Sequence, residues 1–136
     1  MSRFKDRVAV VTGGTQGLGR EYVDAFHREG SRVAILDIND PSPTIAEYHG
    51  APLVGFQVDV TDWTAVQQAI HGVIDHFGQL DILINNAGKG QNFIADDHVP
   101  FWQAKLSGWK EIIETNVNGP FFMTRAVVTL MITAGW

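Results

Sequence analysis

Gly13, Gly14, Gly17 and Gly19 fall within seven positions of a 136-residue chain, in the segment Thr12-Gly13-Gly14-Thr15-Gln16-Gly17-Leu18-Gly19. Backbone this poor in side chains can take sterically restricted angles and let a bulky anion approach closely. The segment joins the β-branched run Val8, Val10, Val11 to a stretch of helical period. The first-turn amides of that helix, at the positive end of its dipole, would face a pyrophosphate. The spacing is T-G-x-x-x-G-x-G. A P-loop would need Lys and then Ser or Thr after Gly19, where Arg20 and Glu21 stand, and G-x-G-x-x-G would need glycine at Thr15.

Asp37 closes the second apolar run, 20 residues after Gly17. A dinucleotide site puts a carboxylate there to accept hydrogen bonds from the adenosine ribose hydroxyls, each worth about 1.5–3 kcal/mol. A 2′-phosphate would meet like charge, at about 1–4 kcal/mol per pair near 4 Å. Neither Gln16 nor Ile38 supplies a cation to offset it, so NAD is favoured over NADP.

Other residue types give weaker chemistry. The five histidines, His27, His49, His71, His76 and His98, show no metal-ligand spacing, and no metal site is expected. Asp96, Asp97 and His98 read as a solvated loop turn. Lys89 to Phe93 follow the fourth apolar run, at the rim where open α/β sheets bind ligands, and are expected to form part of a substrate wall. Trp102 and Trp109 either pack the base of the last helix or line the entrance.

The elements that must position these groups alternate between two periodicities, the signature of βαβ units around a parallel sheet. Strands are expected at Arg7–Thr12, Arg32–Asp37, Leu53–Val58 and Leu80–Asn85, covered on both faces. Helices are expected at Leu18–Glu29, closed by Gly30, and at Asp62–Phe77. In the second, Trp63, Val66, Ile70, Val73 and Phe77 step by 3, 4, 3 and 4, with Gly78 as C-cap. Pro41, Pro43 and Pro52 leave room only for a short helix, Thr44–His49. A polar loop from Gly88 to about Lys105 precedes a helix that Ser107 could cap and that runs towards Thr133.

Composition limits the partners. Ten Lys and Arg against fifteen Asp and Glu leave a net charge of −5, which disfavours nucleic acid. The apolar stretch Val117–Trp136 is interrupted by Asn118, Pro120 and Arg125, so it reads as a helix buried on two sides and not as a membrane span. The absence of cysteine fits a reducing cytoplasm, and residues 1–136 read as one domain.

With Thr12 to Gly19, Asp37, Asp59-Val60-Thr61-Asp62, Asn85-Asn86-Ala87-Gly88 and Asn116 in order, the chain resembles the short-chain dehydrogenase/reductase family along essentially its whole length. The resemblance implies an α/β fold of Rossmann type, a doubly wound parallel sheet in three α/β/α layers, with strand order 3-2-1-4 and lacking a fifth strand. It implies that Gly13, Thr15, Gln16, Gly17, Leu18 and Gly19 hold the pyrophosphate, and that Asp37, with Ile38 beside it, meets the adenosine ribose. Asp59 and Val60 would contact adenine, and Asn86, Ala87 and Gly88 would lie along the nicotinamide-side ribose. Asn86 would also tie the central strands together. Asn116 matches the asparagine of a catalytic tetrad, whose backbone carbonyl holds a water in a proton relay. The sequence supports that role, because Pro120 has no N–H to give the Asn116 carbonyl.

The activity implied is NAD(H)-dependent interconversion of a small-molecule alcohol and a ketone or aldehyde, in a dimer or tetramer. Its Tyr-x-x-x-Lys dyad is absent from these residues: four positions beyond Tyr22 and Tyr48 stand Phe26 and Pro52. The serine expected after a fifth strand is absent too, so the 136 residues alone are expected to be inactive. In that reading the edge Ile82–Ile84 and the apolar final helix form an association surface if nothing follows. The alternative is a non-catalytic NAD-binding or interaction module that ends at residue 136.

Overall fold

β-Branched residues favour extended backbone; they make up four of the five residues of β1 (Val8–Thr12) and include Val33 and Ile35 of β2 (Arg32–Asp37), the two innermost strands. The computed structural model describes residues 2–50, 52–90 and 99–135. In it, β3 (Leu53–Gln57) and β4 (Ile82–Ile84) complete one parallel sheet of order β3-β2-β1-β4. Val10 lies at its middle, level with Ala34 of β2 and Leu83 of β4. The expected order is thus observed, with strands slightly shorter than expected: Arg7, Val58, Leu80, Asp81 and Asn85 fall outside them.

Alternate side chains of the sheet enter two separate cores. Val11, Val33 and Ile35 meet Val23 of helix α1 (Gly17–Arg28). Val8, Val10, Ala34 and Leu36 meet helix α3 (Trp63–Phe77) and helix α5 (Gly119–Thr133) on the opposite face. This is the three-layer, Rossmann-type arrangement. Both faces of β1 are sealed, while β3 and β4 are only half-buried.

α3 follows its sequence signals closely. The Asp62 side chain accepts the Ala65 N–H at 3.0 Å, an N-cap worth about 1 kcal/mol. Val66, Ala69, Ile70, Val73 and Phe77 are buried, and Gly78 takes the left-handed angle that ends the helix. Elsewhere the expectations need correction. The short helix α2 spans Ser42–Ile45 and not Thr44–His49, because Pro43 fits a first helical turn. Ser107 caps nothing: helix α4 (Leu106–Ile113) starts one residue before it, with Lys105 at the N-cap position. Between α4 and α5 the helix widens into a π-turn, Glu114–Asn118, where Gly119 N–H donates to the Glu114 carbonyl five residues back. Pro120 explains the widening, since its ring would clash with the carbonyl four residues earlier in a regular α-turn. α5 is also not buried on two sides: Gly119, Met123 and Val127 are buried, but Phe121, Val128, Leu130 and Ile132 are exposed.

Candidate active site

The carboxyl ends of β1, β2 and β4 open onto one cleft of about 670 Å³. Gly13, Gln16, Gly17, Leu18 and Gly19 form its floor, Asp37 and Ile38 one side, Asp59 and Val60 the next, and Asn86, Ala87 and Gly88 the far side. Twelve of the fourteen residues singled out by sequence therefore share one surface. The remaining two, Thr15 and Asn116, stand outside the lining and bond to groups that form it.

The floor is built by close backbone approach. A Cβ on Gly19 would run into the Gly13 carbonyl oxygen, and Gly17 adopts φ +55° with open space beside it. α1 begins at this point with no side-chain cap and no acidic residue in its first turn, so its leading amides face the cleft unblocked. Thr12 and Asn86 clamp the floor to the far side. Thr12 Oγ1 accepts the Asn86 and Ala87 N–H groups, each at 3.0 Å. Asn86 Nδ2 donates to the Thr12 and Gly13 carbonyls at 3.0 and 3.2 Å, tying β1 to the end of β4.

Asp37 is 5% exposed. Burial of a carboxylate demands hydrogen-bond donors, and the glycine loop supplies them. Thr15 N–H and Thr15 Oγ1 both donate to Oδ2, at 3.0 and 2.8 Å, and Asn39 N–H donates to Oδ1 at 2.9 Å. None of the ion pairs among the described residues includes Asp37. Asp59, exposed, holds a tight turn instead: its Oδ1 accepts from Thr61 N–H and Oγ1.

The Asn116 side chain forms a two-point clasp, accepting Lys89 N–H at 2.8 Å and donating to the Lys89 carbonyl at 2.9 Å. The chain leaving Gly88 is thereby fastened to the π-turn, and Lys89 Nζ pairs with Glu111 at 3.0 Å. Lys89 and Gly90 are the described part of the expected substrate wall, and Lys89 lines the cleft. Gln91–Phe93 and the Asp96, Asp97, His98 cluster lie outside the described residues. Trp102 and Trp109 neither pack a helix base nor line the cleft; both are exposed. Lys110, Glu111, Glu114 and Thr115 do line it, unforeseen from sequence. Their only signal is a polar stripe at helical spacing, which any solvated helix face shares.

A family model for short chain dehydrogenases matches residues 7–136. The chain belongs to that family. This short-chain dehydrogenase chain is 33% identical over 134 residues to the sorbitol dehydrogenase of Cereibacter sphaeroides, covering 98% of itself and 50% of that protein. It is 35% identical over 136 residues to a 2-dehydro-3-deoxy-L-rhamnonate dehydrogenase (NAD(+)) of Sphingomonas sp. (strain SKA58), with coverages of 98% and 52%. It is 33% identical over 137 residues to the D-threitol dehydrogenase of Mycolicibacterium smegmatis, with coverages of 98% and 50%. The chain spans about half the length of the curated relatives it matches.

Neither tyrosine of the short-chain dehydrogenase chain stands at the cleft. Tyr48 packs against His27, with ring centroids 5.0 Å apart, and its hydroxyl donates to Asp24 of α1. Burial, followed by that carboxylate, pushes its phenol up to about 12, the opposite of what a general base near neutral pH requires. Among the described residues no helix is long and apolar enough to cross a membrane, and no three His, Cys, Asp or Glu converge as a metal site.

Proposed function

We propose that this chain is the dinucleotide-binding part of an NAD(H)-dependent oxidoreductase that interconverts a small-molecule alcohol and its ketone or aldehyde. One observation carries the reading: a buried carboxylate, Asp37, held by neutral donors at the side of a cleft whose floor is an uncapped helix start. The cradle fits the group, since Gly19 leaves the room that a side chain would fill. In this reading Gly13, Gln16, Gly17, Leu18 and Gly19 hold the pyrophosphate, and Thr15 stands behind the loop, bonded to Asp37. Asp37 and Ile38 take the adenosine ribose, Asp59 and Val60 the adenine, and Asn86, Ala87 and Gly88 the second ribose. When bound, the nicotinamide supplies hydride chemistry at its C4. Asn116 has a separate role: its backbone carbonyl, deprived of an N–H at Pro120, holds a water for proton relay.

The Tyr and Lys of the family's dyad are not among these 136 residues, so the chain by itself binds the dinucleotide without turnover. Polyol names among the relatives support a small hydroxylated substrate. Lack of cysteine supports a reducing, cytoplasmic setting, and the exposed apolar side of α5 supports a homo-oligomer. A net charge of −5 gives no support to nucleic-acid binding.

Titration with NAD and NADP tests the reading. Wild type is expected to prefer NAD, and Asp37→Ala to lose about 10-fold or more in NAD affinity, the equivalent of one charged hydrogen bond. A wild type that prefers NADP, or an Asp37→Ala protein with unchanged NAD affinity, overturns the assignment.

A further inference from the structure

We propose that Thr15 is a specificity-determining positioning residue, which saturates one oxygen of the Asp37 carboxylate so that the other alone reads a nucleotide hydroxyl. The inference rests on the reading of the cleft as an NAD site and adds how the selectivity is built.

A carboxylate has about four acceptor positions, two on each oxygen. Thr15 fills both positions of Oδ2, through its N–H at 3.0 Å and its hydroxyl at 2.8 Å. Asn39 N–H, at 2.9 Å, takes one position of Oδ1. The remaining position is on Oδ1, so a ligand hydroxyl meets one preset acceptor and not a freely rotating pair. A phosphate ester has no donor for that position and meets the charge.

Two features make Thr15 the controlling partner. Its side chain is outside the cleft lining, so it acts through Asp37. It also belongs to the glycine loop itself, which couples the orientation of the carboxylate to the floor that receives the pyrophosphate. A charge whose direction is set in advance loses little entropy when the ligand arrives.

The test measures NAD and NADP affinity of the 136-residue chain by calorimetric titration for wild type, Thr15→Val, Thr15→Ser, Asp37→Ala and the Thr15→Val/Asp37→Ala double variant. Thr15→Val keeps the branch and removes the hydroxyl donor. It is expected to weaken NAD about 5- to 10-fold while leaving NADP within about 2-fold, less than the direct loss of one hydrogen bond to a charged group because Thr15 acts through Asp37. Thr15→Ser should restore NAD affinity to within about 2-fold of wild type. In the Asp37→Ala background, Thr15→Val should change nothing further, because its target is gone. Should Thr15→Val melt early, Thr15→Ala carries the same comparisons. Equal weakening of NAD and NADP, further weakening in the Asp37→Ala background, or no effect at all overturns the role of Thr15 while the NAD site stands. Failure of wild type to bind NAD removes the site and the role together.

Discussion

Asp81 shows how much a single buried side chain holds at the end of the sheet remote from the cleft. Its Oδ2 accepts Val8 N–H at 2.8 Å and Gln79 Nε2 at 2.7 Å, and its Oδ1 meets Arg7 Nη1 at 2.9 Å. Burial works against its ionised form, but the bonds from Val8, Gln79 and Arg7 outweigh it and hold its carboxyl below the usual carboxylate range. A depressed carboxylate adds stability above the unfolded value, near 4, and loses it as pH falls through the folded value. Asp81→Asn is therefore expected to cost about 1–3 kcal/mol at pH 7, with the gap narrowing at pH 3, as urea unfolding at the two pH values would measure. A gap that stays constant would show that the charge is not what matters. Asp37 is the contrasting case, a carboxylate held by N–H and O–H donors and by no cation among the described residues. Its place at the cleft was legible in the sequence because spacing from a glycine turn is a one-dimensional signal. Its dependence on Thr15 was not, since the direction of a threonine hydroxyl leaves no trace in spacing.

The elements were legible in proportion to how local their causes are. α3 carries its start at Asp62, its apolar stripe and its stop at Gly78 in consecutive residues, and it forms where those signals put it. β1, β2, β3 and β4 were found from β-branched runs; β2 forms over the expected residues and the others moved only at their ends, because a strand ends where its neighbour stops pairing and not where its own composition changes. The π-turn and the cap of α4 escaped. The first depends on how Pro120 clashes in three dimensions, and the second on a loop whose path local propensity does not set. The turn from β1 into α1 makes a prediction at this scale. Gly19→Ala should force Gly13 and Asn86 apart, since the new methyl collides with both. Loss of dinucleotide binding with helix content retained in circular dichroism is expected, together with a lower melting midpoint. Normal binding by this variant would mean that the turn is less tightly packed than its geometry indicates.

Taken whole, the molecule covers both faces of its sheet but leaves several apolar side chains of α5 outward. α1 covers its face of the sheet, whereas Phe121, Val128, Leu130 and Ile132 of α5 are turned outward. The outer edge of β4 pairs with no strand among the described residues. Apolar surface beside an open edge drives association. The 136-residue chain is accordingly expected to self-associate with rising concentration in sedimentation experiments, and Phe121→Ser with Ile132→Ser to reduce this; a monodisperse monomer at high concentration would refute it. The π-turn has a consequence for the long helical segment that crosses both regions. Its buried positions Thr115, Gly119, Met123 and Val127 recur every four residues, and each such step overshoots a helical turn by about 40°. Left regular, that stripe would spiral off the sheet. The one extra residue taken up in the wide turn works like a leap day in a calendar: it absorbs the accumulated drift, and Met123 and Val127 keep time with a sheet that the segment's first half meets only at the cleft.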